Sequence, residues 1–277
     1  LYGMKTLFIS YKNAFNSKYS VHEISLMFRE LASKHCGIPM QKLYFLEDID
    51  CSAEQRQLLT EDLERLAFGV PFQHVLGFTE FCGLKINVNE NVLIPRQETS
   101  ELIEWIVRRE KSARKILDVG TGSGCIALAL KKSFPEAEVW AVDKSKKALE
   151  VAAKNADETA LFVSFKQLDM LTDLDSLDSD FDVVVSNPPY IMPSEKAEMS
   201  DDVLCHEPHM ALFVPENDPL IYYRAVAEFA FKCDSAVYFE INPLLSTQTC
   251  EMLMEIGFSE IEIKKDISKK PRMIWAK

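Results

Sequence analysis

The sequence predicts an α/β protein: a doubly wound, mostly parallel sheet whose last strands run antiparallel, preceded by a small helical module. Three observations carry this. From Ile94 onward, apolar runs of strand length alternate with longer helical stretches. One run, Lys115-Ile116-Leu117-Asp118, ends in a glycine turn, Gly120-x-Gly122-x-Gly124, that opens directly into an apolar helix. Another, Glu138-Val139-Trp140-Ala141-Val142, delivers Asp143, 19 positions after Gly124. Strand, glycine turn, helix, strand and acid in that order suit a nucleoside-binding βαβ unit, where the acid follows at about 20 residues.

The elements follow in chain order. Ser20-x-x-Glu23 is a capping box that opens an amphipathic helix stopping at Gly37, with Pro39 beyond. Ser52-x-x-Gln55 opens a second helix that ends at Gly69 before Pro71, with Leu58, Leu59, Leu63, Leu66 and Ala67 on its apolar face. Phe78 to Val92 alternates as paired strands do, with turns at Gly83 and Asn89-Glu90-Asn91, and predicts a β-hairpin. Val163 to Gln167 and Phe181 to Ser186 read as further strands of the sheet, and the runs near Ile261 and Ile274 close it as an antiparallel pair. The expected division is a helical domain over 4–76, a hairpin linker over 77–93 and a sheet domain over 94–277. Leu1-Tyr2-Gly3, ahead of Met4, is set aside as an appendage.

Composition sets the outer bounds. A chain of 277 residues that is 47% hydrophobic has ample core for two domains. It contains no run of 18 apolar residues and its start lacks a secretory pattern, so neither a membrane span nor a signal peptide is expected. The seven cysteines, Cys36, Cys51, Cys82, Cys125, Cys205, Cys233 and Cys250, are odd in number and scattered without a C-x-x-C pair. They read as reduced thiols of a cytoplasmic protein, with Cys125 a packing residue. The net charge is −12. The longest basic clusters, at 108–111 and 264–270, are interrupted by acidic or polar residues, which argues against a nucleic-acid surface and for a basic protein partner.

The most specific chemistry lies in Asn187-Pro188-Pro189-Tyr190, directly after the Phe181–Ser186 run. Open α/β sheets bind ligands at the carboxyl ends of their strands. Proline lacks an N–H and restricts the residue before it, so this loop is extended, stiff and rich in carbonyl acceptors. The Asn187 side-chain oxygen and the Pro188 carbonyl can each accept one hydrogen of a substrate NH2 group, while Tyr190 stacks on the flat group.

The glycine turn complements it. Asp118 precedes the turn, and the G-x-G-x-G spacing departs from the dinucleotide form G-x-G-x-x-G. No basic side chain falls in the turn to meet a phosphate. A nucleoside carrying an amino-acid tail, such as S-adenosylmethionine, fits better than NAD, with Asp143 accepting the ribose hydroxyl protons.

With these residues in view, the chain resembles the bacterial protein-(glutamine-N5) methyltransferases that modify peptide chain release factors. The resemblance runs from about Ser20 to the C-terminus and rests on Gly69–Gly77, Val92–Thr99, Asp118–Gly124, Asn187–Tyr190 and Glu207–Leu212, with Ile94-Pro95-Arg96 the most specific part. It implies a Rossmann-like class I methyltransferase sheet and methyl transfer from S-adenosylmethionine to the glutamine of a Gly-Gly-Gln loop. It implies that Asp118, Gly120, Thr121, Gly122, Ser123 and Gly124 line the cofactor, that Asp143 holds its ribose, and that Asp169-Met170 flank its adenine. Asn187 would touch both cofactor and substrate. Pro188, Pro189 and Tyr190 would complete the glutamine pocket, with catalysis resting on Asn187, Pro188 and Tyr190. Arg96, Glu98 and Thr99 would wall that side, Arg96 meeting the substrate. Met170 stands where an aromatic is common, and Glu240-Ile241-Asn242-Pro243 and Val214–Pro219 replace glycine-richer loops.

Two other readings stand beside this one. The tetrapeptide can also hold the exocyclic amine of a flipped adenine, as an adenine-N6 methyltransferase of DNA or RNA would require. A non-catalytic binding module that has kept the fold is the third. Acidic charge and Pro95-Arg96 speak against the second; the intact Asp118, Gly120, Asp143 and Asn187 set speaks against the third. His206-x-x-His209 spans Pro208 and is not a helical ligand pair, so no metal is expected, and the histidines read as solvated or packing residues. A monomer that meets release factors, with no direct nucleic-acid or membrane contact, is the expected state.

Overall fold

The computed structural model describes residues 2–44, 49–199 and 201–277. The chain opens with β1 (Tyr2–Gly3), α1 (Met4–Phe15), α2 (Val21–Cys36), β2 (Asp50–Cys51), α3 (Ala53–Ala67) and α4 (Phe72–Leu76). A hairpin of β3 (Phe78–Phe81) and β4 (Leu84–Asn87) follows, then α5 (Gln97–Arg109), β5 (Lys115–Val119), α6 (Cys125–Ser133), β6 (Glu138–Asp143), α7 (Lys146–Thr159), β7 (Ser164–Gln167) and β8 (Val183–Ser186). Two short helices, α8 (Asp201–His206) and α9 (His209–Leu212), precede α10 (Ile221–Lys232), β9 (Ala236–Glu240), α11 (Ser246–Ile256), β10 (Ile261–Lys265) and β11 (Pro271–Ala276). Contacts divide the chain into one unit of 1–77 with 201–206 and another of 78–200 with 207–277.

The first unit is helical. Both capping boxes form: Ser20 and Ser52 accept from the amides of Glu23 and Gln55, whose side chains bond back to the serine amides. Gly37 ends α2 in the left-handed region. Tyr11, Ile24, Phe28, Leu31 and Leu59 are fully buried, with the Tyr11 and Phe28 rings edge-to-face at 5.0 Å. The apolar face of α3 is narrower than expected: Leu59 and Leu66 are buried, while Leu58 and Ala67 are exposed. Neighbouring positions point about 100° apart on a helix, so one of each pair must turn outward. Asp62 takes the inward slot between Leu59 and Leu66 because His35 Nε2 meets its carboxylate at 2.6 Å. Tyr2 and Gly3 pair antiparallel with Cys51 and Asp50, so those two residues of the segment set aside as an appendage belong to a small sheet.

The second unit holds a seven-stranded sheet of order β10-β11-β9-β8-β5-β6-β7. β9, β8, β5, β6 and β7 run parallel, and β11 and β10 add antiparallel at one edge, as expected. Side-chain alternation makes it doubly wound. Ile116, Val139, Val183 and Tyr238 pack under α5, α6 and α7; Leu117, Val142, Val184 and Phe239 pack under α10 and α11. The hairpin strands close at Asn87 rather than Val92. Asn89 curls the chain there, its side chain accepting from the Asn91 amide and its carbonyl from the Val92 amide. The sheet strand before the glycine turn runs one residue past Asp118, to Val119, in register with β6 and β8.

Candidate active site

The carboxyl ends of β5, β6 and β8 converge on one cavity, whose wall includes Gly120, Thr121, Gly122 and Ser123 from the glycine turn. Asp143, Asp169 and Met170 line it from the ends of β6 and β7, Asn187 and Pro189 from the end of β8, and Arg96 and Thr99 from the start of α5. The remaining candidates are not among the residues that line it. Asp118 and Pro188 are buried, Gly124 opens α6, and Tyr190 points its hydroxyl to Glu240.

The turn is held from both sides. Gly120 and Thr121 donate their amides to the Val142 carbonyl at 2.9 and 3.0 Å, fastening the turn to β6. Asp118 accepts from the Thr121 hydroxyl at 2.5 Å and from the Ala127 amide at 3.2 Å, while its Oδ1 has no partner. Burial pushes the Asp118 carboxyl up to about 7, against the pull of those two donors. Asp143 accepts from the Gly122 amide at 2.9 Å and the Ser145 amide at 2.8 Å; burial raises its carboxyl above the usual range despite these bonds.

A second network fixes the tetrapeptide. Asn187 donates from Nδ2 to Thr99 Oγ1 at 3.3 Å, and Thr99 donates to Glu240 Oε2 at 2.6 Å. The Tyr190 hydroxyl donates to Glu240 Oε1 at 3.0 Å. Burial raises the Glu240 carboxyl above its ordinary range while Thr99, Tyr190 and Arg272 oppose the shift. Asn242 caps the arrangement by donating to the Tyr190 carbonyl at 3.0 Å. Arg96 meets the buried Glu207 carboxylate at 2.6 Å, which fixes the guanidinium where it walls the cavity.

Sequence reasoning missed three contributors. Glu240 closes an otherwise apolar strand at the sheet's carboxyl edge, and a lone acid in that position was the available signal. Asn155 is fully buried on α7 and donates to the Ser123 and Asn87 carbonyls at 2.9 and 3.0 Å, tying the glycine turn to the hairpin. Asn242 is the third. Among the described residues no group of three His, Cys, Asp or Glu side chains is arranged to hold a metal ion. His209 packs edge-on against the Phe213 ring at 5.4 Å.

Comparison with known proteins agrees with this geometry. Residues 97–210 match the family model described as the methyltransferase small domain. The fold is shared with the catalytic domain of hMettl16 in complex with the MAT2A 3'UTR hairpin 1, at a TM-score of 0.60 and 14% identity over 81% of this chain and 80% of that one. The release factor glutamine methyltransferase of Flavobacterium psychrophilum is 46% identical over 212 residues, 74% of each chain. That of Bacteroides thetaiotaomicron is 38% identical over 261 residues, 93% of this chain and 94% of its own. That of Lactococcus lactis is 40% identical over 230 residues, 81% of this chain and 83% of its own. With relatives this similar over this much of its length, the chain belongs to the release factor glutamine methyltransferase family.

Proposed function

We propose that this enzyme transfers a methyl group from S-adenosylmethionine to the side-chain amide nitrogen of the glutamine in the Gly-Gly-Gln loop of peptide chain release factors. The observation that carries the reading is Asn187 at the carboxyl end of β8, its amide facing the same cavity as the glycine turn and Asp143.

The residues present suit the cofactor. Gly122 leaves open space where a side chain would stand. Asp118, buried beneath the turn, would support the cofactor through Thr121 and the Ala127 amide, which it holds in place. Asp143 lines the cavity with a carboxylate already anchored by the Gly122 and Ser145 amides, and its remaining acceptor capacity suits a ribose hydroxyl. Gly120 to Gly124 would hold the methionine and ribose portions, with Asp169 and Met170 beside the base. When bound, S-adenosylmethionine supplies a methyl carbon already activated by the adjoining sulfonium.

A carboxamide nitrogen is a poor nucleophile, because its lone pair is delocalised into the carbonyl. Asn187 Oδ1 and the Pro188 carbonyl accept one hydrogen each from the substrate NH2 and turn the nitrogen toward the methyl. Alignment is the first contribution. As positive charge develops on nitrogen, both hydrogen bonds strengthen, which lowers the barrier further. Neither acceptor is a strong base, so the proton leaves to water. Pro189 and Tyr190 shape the pocket around the amide, and Arg96 binds the substrate chain.

The helical domain over 4–76 would grip the release factor, with 77–93 as linker and 94–277 as the catalytic domain. A net charge of −12 supports a basic protein partner over nucleic acid. The enzyme would act as a monomer in the cytoplasm. The seven scattered cysteines without a C-x-x-C pair support that compartment, and no described helix is long and apolar enough to cross a membrane.

The test offers labelled S-adenosylmethionine with release factor, with the same factor carrying Ala in place of the loop glutamine, and with adenine-containing oligonucleotides. Label on the intact factor alone is expected. Label on an oligonucleotide would favour the adenine reading, and no label anywhere would favour a binding module. Asn187→Ala is expected to lose most turnover while cofactor binding weakens less; equal loss of both would remove Asn187 from the substrate side.

A further inference from the structure

We propose that Glu240, acting through Thr99, sets which end of the Asn187 side-chain amide faces the substrate, and so makes the site select a carboxamide over a carboxylate. This rests on the reading of Asn187 given above and assigns two positioning residues behind it.

Hydrogen-bond polarity runs one way along this chain of side chains. Glu240 is 1% exposed, ends the interior strand β9, and presents an ionisable carboxylate that, when charged, can only accept. Thr99, 2% exposed, lies 2.6 Å from one of its oxygens, so the threonine proton is committed to Glu240. What Thr99 Oγ1 has left is lone pairs. The group 3.3 Å away on Asn187 must then be a donor, which is Nδ2. The two ends of a carboxamide are tied together, so Oδ1 is the end available to the cavity that Asn187 lines. The Tyr190 hydroxyl, 3.0 Å from the other Glu240 oxygen, satisfies the carboxylate from the opposite side.

The consequence is chemical. An Asn187 that shows Oδ1 welcomes the NH2 of glutamine and repels the oxygens of glutamate. Turned over, it would show Nδ2, lose the glutamine hydrogen bond and accommodate a carboxylate instead. A register of parallel strands makes the coupling rigid: Ser186 of β8 is paired with Phe239 of β9, so Asn187 and Glu240 leave neighbouring strands at the same level. Specificity of this kind depends on leaving the wrong group without a partner.

Two variants test it. In Glu240→Gln one carboxylate oxygen becomes an NH2, and where that group donates to Thr99, the threonine proton turns to Asn187 and inverts the amide. Thr99→Val removes the relay while keeping the side chain's shape. The measurement is the ratio of Kd values for release factor bearing Gln or Glu in its loop, with S-adenosylhomocysteine bound, alongside kcat and cofactor affinity. The parent is expected to prefer the Gln form. In both variants that preference is expected to shrink by about tenfold or more and kcat to fall about 10- to 100-fold, with cofactor affinity within a few-fold. Thr99→Ser, which restores the hydroxyl, is expected to recover the preference.

A purely structural role would weaken both forms of the factor equally, and that result, or an unchanged ratio in Thr99→Val, overturns the proposal. Should Glu240→Gln fail to fold, Thr99→Val and Thr99→Ser decide the matter alone. A parent enzyme that methylates no release factor would defeat the functional reading itself, a result separable from a parent that is active and variants that keep its preference.

Discussion

The Gly122 amide donates to Asp143 Oδ2 at 2.9 Å, so the glycine turn after β5 and the acid at the end of β6 hold each other in place. One carboxylate therefore fixes the turn and offers its remaining lone pairs to the cavity. Asp143→Ala removes both roles. The Kd for S-adenosylhomocysteine is expected to rise roughly 100-fold or more, the equivalent of one or two hydrogen bonds to a charged group. Titration calorimetry checks it, and an unchanged Kd would separate Asp143 from the ribose.

Asp118 makes stability depend on pH in an unusual direction. Its carboxyl ordinarily titrates at 3.8 and is pushed up to about 7 by burial. Between those values the folded protein keeps a proton that the unfolded chain releases, so this group's contribution is fully present below about 4 and is lost as pH rises through 7. In cofactor-free protein, the stability difference between parent and Asp118→Asn is expected to shift steadily against the parent from pH 4 to 7 and to level off above. Urea unfolding across that range checks it. A difference that stays flat would mean that Asp118 is ionised throughout.

Tyr190 supports Glu240 through its hydroxyl. Tyr190→Phe keeps the ring and deletes a donor to a fully buried carboxylate. The expected cost is about 1–3 kcal/mol of stability, seen as a Tm lower by roughly 2–4 °C for each kcal/mol in a chain of this size. Calorimetric unfolding measures this, and an unchanged Tm would show that Thr99 and Arg272 satisfy Glu240 without the phenol.

The parts of this fold that local chemistry dictates were legible from the residues alone. Capping boxes at Ser20 and Ser52 announce their helices because the partner lies three positions away. Asp118, Gly120, Asp143 and Asn187 stand out because each lies at or just past the carboxyl end of a strand of the same sheet. What depends on distant neighbours was not legible. Glu240 reaches Thr99 across 141 positions and Asn155 reaches Asn87 across 68, and no spacing rule links such pairs. The inward turn of Asp62 on α3 was hidden for the same reason, since its partner His35 sits on another helix. The order β10-β11-β9 at the sheet edge was readable only as an antiparallel pair, because pairing to β9 is settled by packing rather than by pattern.

Two glycines of the turn are expected to fail in different ways. Gly124 has φ +80°, and a Cβ there would stand 3.1 Å from Ala152 Cβ on α7. Gly124→Ala combines left-handed strain with a clash against a packed helix and should cost about 1–3 kcal/mol, lowering Tm in the absence of any ligand. Gly122 has φ +55° but no atom within 4 Å of the added carbon, because it faces the cavity. Gly122→Ala carries the strain without the clash and places its methyl where cofactor would lie. Its main effect should be on binding, with the Kd for S-adenosylhomocysteine raised at least tenfold and a smaller change in Tm. Thermal unfolding and calorimetric binding on the pair separate the two effects. If Gly122→Ala lost stability and kept its affinity, the cofactor would have to lie elsewhere than against the turn.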